Sequence, residues 1–196
     1  ATYVAAIASG NVAIPMDKEL QMSEIEGFLA FAEVDAIVYS HTFNEKFEHL
    51  AKEHPTVKTL IPMEPPRGTV ADGRILPYAT LMEMGEDEVK KGYAYPEGLD
   101  PERMVEMLFT SGTTGYPRIA THSYKYALGH YITAKYWHGV SDDGLHFTIS
   151  DTGWGKALWG KLYGQWLCEG AVFTYDFDRF DAADILPMFA KYGITT

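Results

Sequence analysis

Residues Met104 to Arg118 read MVEMLFTSGTTGYPR. Met104 to Phe109 is an apolar run of strand length, broken only by Glu106, and reads as a buried β-strand. From Thr110 to Gly115 every residue carries a hydroxyl or no side chain at all. Gly112 and Gly115 permit backbone conformations that turn several N–H groups into one concavity, a nest for an anion. The hydroxyls of Thr110, Ser111, Thr113 and Thr114 add donors, and Arg118 adds a fixed positive charge. That chemistry suits a polyphosphate. The pattern GxxxxGK[ST] does not occur, so this is not a Walker A loop. The plain alternative is an ordinary Gly/Ser/Thr turn, against which so dense a run of hydroxyls beside a cation weighs.

Outward from this loop the chain alternates strand and helix. Thr2 to Ser9 reads as the back half of a helix ended by Gly10, and Asn11 to Met16 as a short strand. Ser23 and Glu26 have the spacing of a capping box. Ile25, Phe28, Leu29 and Ala32 then form one helical face. Strands are expected at Ala36–Tyr39, Val57–Ile61, Leu145–Ile149 and Ala171–Tyr175. Helices are expected at Glu45–Glu53 (Phe47 and Leu50 inward), Ala79–Lys91, Ser123–Trp137, Trp154–Leu167 and Asp181–Tyr192, with a Pro/Gly-rich loop from Pro62 to Gly73. This order implies an α/β fold of βαβ units with mainly parallel sheets. The Ser141–Gly144 turn divides it into a first subdomain, 1–140, which includes the loop, and the beginning of a second, 141–196. The chain starts inside a helix and stops inside the strand begun by Ile194-Thr195-Thr196, as a piece of a larger domain would; ordinary frayed termini are the alternative.

The 196 residues are 46% hydrophobic and 22% charged, the balance of a folded globular chain. A net charge of −11 argues against a nucleic-acid binder, yet backbone amides can hold phosphates without bulk positive charge. Cys168 is the only cysteine, so no disulfide forms within the chain, and it reads as packing at a helix end. No apolar run approaches the roughly 20 residues that span a bilayer, and no basic segment precedes the first apolar residues as in a signal peptide. A cytoplasmic setting is the expectation. All four tryptophans and most tyrosines lie in the second half, where they either fill a core or line an organic-ligand pocket.

The segment TSGTTGYPR resembles the phosphate-loop signature [ST]SGTTGxPK of the AMP-forming adenylating enzymes, and Thr148 to Trp154 (TISDTGW), with His122-Ser123-Tyr124, is similar to the acetyl- and medium-chain acyl-CoA synthetase branch. Tyr3 to Asp17 is more loosely similar to that family's helix–Gly–strand unit. The resemblance implies a fragment of the large N-terminal domain of an acid–CoA ligase, which activates a short- or medium-chain carboxylate with ATP and Mg²⁺ to acyl-AMP and passes it to coenzyme A. Thr110, Ser111, Gly112, Thr113, Thr114, Gly115 and Arg118 would hold the ATP phosphates. Asp151, Thr152, Gly153 and Trp154 would border the acyl and CoA pocket. Arg118 replaces the signature lysine, keeping the charge but changing its geometry to a rigid fork. The family's tyrosine–glycine–x–threonine–glutamate motif, ribose-binding aspartate and C-terminal lysine have no match here. The main catalytic residues are therefore expected beyond Thr196, and the piece alone is expected to be inactive. A carrier-protein phosphopantetheine acceptor, or a non-catalytic nucleotide-binding module, are the alternatives.

His122, His130, His138 and His146 recur every eight residues, about 80° beyond two helical turns, so successive histidines do not share a face and no metal site is expected. Tyr124, Leu128, Tyr131 and Lys135 do share a stripe and are expected to pack on the sheet.

Overall fold

The computed structural model describes residues 1–54, 56–65, 73–110, 118–177 and 179–196, apart from the side chains of residues 45, 48 and 50–52. The chain divides into two compact units, one of residues 1–9 and 19–97, the other of residues 10–18 and 98–196.

In the first unit, helix α1 (Thr2–Ala8) ends where the Ser9 hydroxyl donates to the Ala5 carbonyl at 2.8 Å. Helix α2 (Met22–Ala32) has its cap two residues before the expected box. Gln21, extended at φ −69° and ψ 154°, is the N-cap, and its N–H donates to Glu24 Oε2 at 2.8 Å. Ser23 is already inside the first turn, so Ser23 and Glu26 do not form the cap. The apolar face of α2 holds, with Ile25, Phe28 and Leu29 buried. Strand β1 (Ala36–Tyr39), helix α3 (Asn44–Glu53) and strand β2 (Thr59–Pro62) follow. β1 and β2 pair in parallel, Ala36 opposite Thr59 and Tyr39 opposite Pro62, so these elements are one βαβ unit. The segment at Ile75 adds a further parallel bridge to Leu60, with Leu60 N–H on Arg74 O and Leu76 N–H on Leu60 O, both at 2.9 Å. Ile25, Leu29, Ile37, Tyr39, Phe47, Val57 and Leu60 form the core. Helix α4 (Tyr78–Lys90) buries no residue.

In the second unit the expected strand Asn11–Met16 shrinks to one bridging residue. Ala13 lies parallel to Glu106, with its N–H on Val105 O at 2.8 Å and its carbonyl accepting from Met107 N–H at 3.0 Å. Pro15, with no N–H, cannot extend the ladder. Strand β3 (Met104–Thr110) pairs antiparallel with strand β4 (Arg118–Ser123), Thr110 opposite Arg118. The loop thus connects two strands of a hairpin, where sequence placed a helix-forming stretch after it. Helix α5 (Lys125–Ile132) continues as a π-helical turn at Thr133–Trp137. Strand β5 (Leu145–His146), helix α6 (Gly155–Ala157), a second π-helical turn at Leu158–Leu162, helix α7 (Tyr163–Leu167) and strand β6 (Ala171–Val172) follow, with β5 and β6 parallel. Helix α8 (Ala182–Tyr192) is capped by Asp181, whose Oδ1 accepts the Ala183 N–H at 2.8 Å. Thr195 N–H then donates to Leu145 O at 2.9 Å, and Phe147 N–H to Thr196 O at 2.8 Å.

Helix α7 packs tightly on α5: a Cβ at Gly164 would collide with the His130 carbonyl and lie 2.5 Å from Ala134 Cβ. Because these helices lie on either side of the Ser141–Gly144 turn in sequence, that turn sits inside the second unit. Of the stripe expected to pack, Tyr124 and Tyr131 are half-buried, while Leu128, 62% exposed, and Lys135 face outward.

Candidate functional site

The hairpin β3–β4 presents the phosphate-loop candidates. Thr110 and Arg118 are cross-strand partners, both exposed, with the Thr110 hydroxyl on the Arg118 carbonyl at 3.4 Å. Ser111, Gly112, Thr113, Thr114 and Gly115 lie outside the described residues. What the fold supplies is their attachment: both ends are fixed in register on one sheet.

The hairpin buries a charged side chain beside Val105. Glu106 is fully buried on β3, and the Tyr163 hydroxyl of α7 donates to its Oε2 at 2.6 Å. Tyr126 lies 6.0 Å from the Tyr163 ring, edge-on, and stacks on His122 at 3.7 Å. Burial and then the Glu106 charge push the Tyr126 phenol above its ordinary value of 10.0. Sequence reasoning read Glu106 only as an interruption of a strand. Its partner is 57 residues away, and no local pattern announces it.

The second expected group, Asp151 to Trp154, forms one turn. The Gly153 N–H donates to Asp151 Oδ1 at 2.8 Å, and the Trp154 N–H to the Asp151 carbonyl at 3.1 Å. Trp154 precedes α6 with an extended backbone, φ −98° and ψ 138°. Its indole N–H donates to Asp17, and Lys18 Nζ stands 4.0 Å from Asp151 Oδ2. Thr152 is exposed. Lys161, half-buried, donates to the Ser150 carbonyl at 3.4 Å, and burial pushes its ammonium below 10.5 while Asp151 opposes that shift.

Folding brings His138 and His146 together, while His130 meets other aromatic rings. His130 stacks near Trp159 and Tyr163, with centroids at 6.2 and 6.1 Å, and His138 stacks on His146 at 5.6 Å. His146 Nε2 lies 2.8 Å from the carbonyl of Gly160, in the second π-helical turn, and Nδ1 2.9 Å from the Thr196 hydroxyl. A carbonyl can only accept, so the hydrogen-bond network assigns the proton to Nε2 and the Nδ1 lone pair to Thr196. Among the described residues no group of three or more His, Cys, Asp or Glu side chains could hold a metal ion. A cleft of about 410 Å³ lies beside Tyr131, Lys135, Asp142 and Cys168; its lining includes none of Thr110, Arg118 or Asp151–Trp154. Among the described residues no helix is long and apolar enough to cross a membrane.

The family model of the AMP-binding enzymes matches residues 1–196. Human acyl-coenzyme A synthetase ACSM4, mitochondrial, is 29% identical over 197 residues, covering 98% of this chain and 32% of the relative. Human acyl-coenzyme A synthetase ACSM3, mitochondrial, is 33% identical over 93 residues, 47% of this chain and 16% of the relative. Among solved structures, Brucella canis acyl-CoA synthetase superposes with a TM-score of 0.79 at 17% identity, over 99% of this chain and 33% of that one. The anthranilate CoA ligase AuaEII in complex with anthranoyl-AMP superposes with a TM-score of 0.75 at 17% identity, over 97% and 35%. These superpositions show the fold of adenylate-forming enzymes, and the chain spans about a third of the length of the curated relatives it matches. With a match running from its first residue to its last, and the signature loop carried on a registered hairpin, the chain belongs to the family of AMP-binding enzymes.

Proposed function

We propose that the intact protein is an AMP-forming acid–CoA ligase acting on a short- or medium-chain carboxylate. A carboxylate oxygen attacks the α-phosphorus of ATP and pyrophosphate leaves. The thiol of coenzyme A then attacks the acyl carbon of the acyl-adenylate, and AMP leaves. The observation that carries this reading is the family match over the whole chain, joined to the loop TSGTTGYPR between the paired strand ends Thr110 and Arg118.

In this reading the backbone amides and hydroxyls from Thr110 to Gly115, with the Arg118 guanidinium, hold the β- and γ-phosphates and stabilise charge on the departing pyrophosphate. Trp154 walls the acyl pocket where the pantetheine arm of coenzyme A arrives, with Asp151, Thr152 and Gly153 forming the turn that bears it. Mg²⁺ accompanies the nucleotide. The names of the relatives, acyl-coenzyme A synthetases and a CoA ligase, favour coenzyme A over a carrier protein as acceptor. Those curated relatives are named mitochondrial, which does not support the cytoplasmic setting expected from the sequence. The 196 residues on their own are expected to form no acyl-adenylate.

ATP–pyrophosphate exchange by the intact protein tests the reading. Gly112→Val should nearly abolish exchange, because a β-branched side chain disfavours nest conformations and fills the nest. Arg118→Ala should cost about 10- to 100-fold, the loss of one charge-assisted hydrogen bond of roughly 1.5–3 kcal/mol. Near-normal exchange in the Gly112 variant would overturn the phosphate-loop assignment.

A further inference from the structure

We infer that Asp17 is a positioning residue for Trp154, fixing the indole at the wall of the acyl pocket and thereby sharpening selection among carboxylates by size. This inference rests on the reading of Trp154 as that wall.

Packing covers less than half of Trp154. The residue is 61% exposed, which leaves surface to meet a ligand and little packing to fix the ring. Two polar anchors restrict it instead. At the backbone end, the Asp151 turn fixes the residue through the Trp154 N–H on the Asp151 carbonyl, at 3.1 Å. At the far end, the indole Nε1–H donates to Asp17 Oδ2. An indole has one donor and no acceptor, so this bond sets which way the ring faces.

Three features bring Asp17 there, though it lies 137 residues away in sequence. Ala13 is hydrogen-bonded on both sides to β3, through Val105 O and Met107 N–H, which fixes the start of the segment. Gly153 lets the two backbones touch: a Cβ at that position would collide with Asp17 Cα and come 2.6 Å from the Met16 carbonyl carbon. Lys18 and Asp151, 4.0 Å apart, add attraction between the same two turns. An aromatic side chain has only two χ angles to restrain, so a single bond to its tip removes most of its freedom.

The test uses the intact protein, kcat/KM for a panel of straight-chain carboxylates, the KM for ATP, and the ¹H–¹⁵N indole resonance of Trp154, identified by its loss in Trp154→Phe. Asp17→Ala should flatten the chain-length profile by about 10-fold, the lower range for losing a hydrogen bond to a charged group, with the KM for ATP unchanged. The Trp154 indole resonance should shift upfield. Trp154→Phe, which keeps a ring and loses the donor, should flatten the profile similarly, and the double variant should add nothing further. Asp17→Asn, which keeps an acceptor, should restore most of the selectivity. If Trp154→Ala changes the profile while Asp17→Ala and Trp154→Phe do not, the positioning role is overturned and the acyl-wall reading stands. If Trp154→Ala leaves the profile unchanged, the acyl-wall reading falls, and the inference with it.

Discussion

The two units solve the problem of an interior differently. In the first, Ile25, Leu29, Ile37, Phe47, Val57 and Leu60 pack around one βαβ unit, and the polar group in that cluster is the hydroxyl of Tyr39. In the second, Glu106, His146 and Gln165 are buried, and they are the buried polar or charged side chains among the described residues. They share that unit with buried Val105, Val140, Phe147, Leu158 and Ile185 and with the small residues Ala13, Ala134 and Ala157. Apolar burial is non-directional and tolerates rearrangement, whereas a buried carboxylate or imidazole is stable in one geometry only. Rigidity of that kind suits a hairpin whose loop, in the function proposed above, meets a polyphosphate.

The largest effect should come from the apolar unit. Leu60 is fully buried, bridges to both β1 and the Ile75 segment, and leaves a cavity on truncation. Leu60→Ala should cost about 2–5 kcal/mol in urea unfolding. A cost under about 1 kcal/mol would mean that the first unit collapses readily around the gap and is less tightly packed than its burial implies.

A smaller effect is expected in the polar unit. Tyr163→Phe removes the donor to Glu106 Oε2 while keeping the ring. The expected loss is about 1.5–3 kcal/mol, for a hydrogen bond to a fully buried carboxylate. The double variant Tyr163→Phe/Glu106→Gln measures the coupling directly. Additive single effects would show that the pair is a bystander and that the contrast between the interiors carries no energetic weight.

Much of the first unit was legible because its code is local. The i, i+3, i+4 spacing of Ile25, Phe28 and Leu29 gave α2, and the run Ala36–Tyr39 gave β1 at its observed bounds. The cap was misplaced because Ser23 and Glu26 fit the side-chain pattern, while the backbone turns extended at Gln21. The second unit was less legible because its determinants are distant pairings. Strand β4 carries the alternation Ile119, Thr121 but became visible only through register with β3. The π-helical turns at Thr133–Trp137 and Leu158–Leu162 leave no periodicity that separates them from α-helix. The loop motif and the Asp151–Trp154 turn were legible as residues; the Asp17 tether was not, since nothing within either segment names the other.

The smallest effect, and the one that separates the units most directly, is with pH. Burial holds His130, His138 and His146 below the ordinary imidazole value of 6.5. Positive neighbours add to this, among them His122 and His138 for His130, Lys156 for His138, and His138 and Lys161 for His146; the Gly160 carbonyl opposes it at His146. A base whose folded value is depressed binds fewer protons folded than unfolded between the two values, so stability rises with pH across that window. The contribution of these histidines is complete above about 6.5 and is lost as pH falls below it toward the folded values. In the first unit Glu64 is the comparable group. Its carboxylate accepts the His41 N–H at 2.8 Å, which holds it below the ordinary value of 4.5, so its contribution disappears only below that pH. Hydrogen exchange at pH 7, 6 and 5 should therefore show amides of α5 and α7 losing protection while those of β1 and β2 keep theirs. Replacing His138 and His146 together by Gln should remove much of the difference. Equal loss of protection in both units between pH 7 and 5 would show that the buried histidines do not set the acid limit of the second unit.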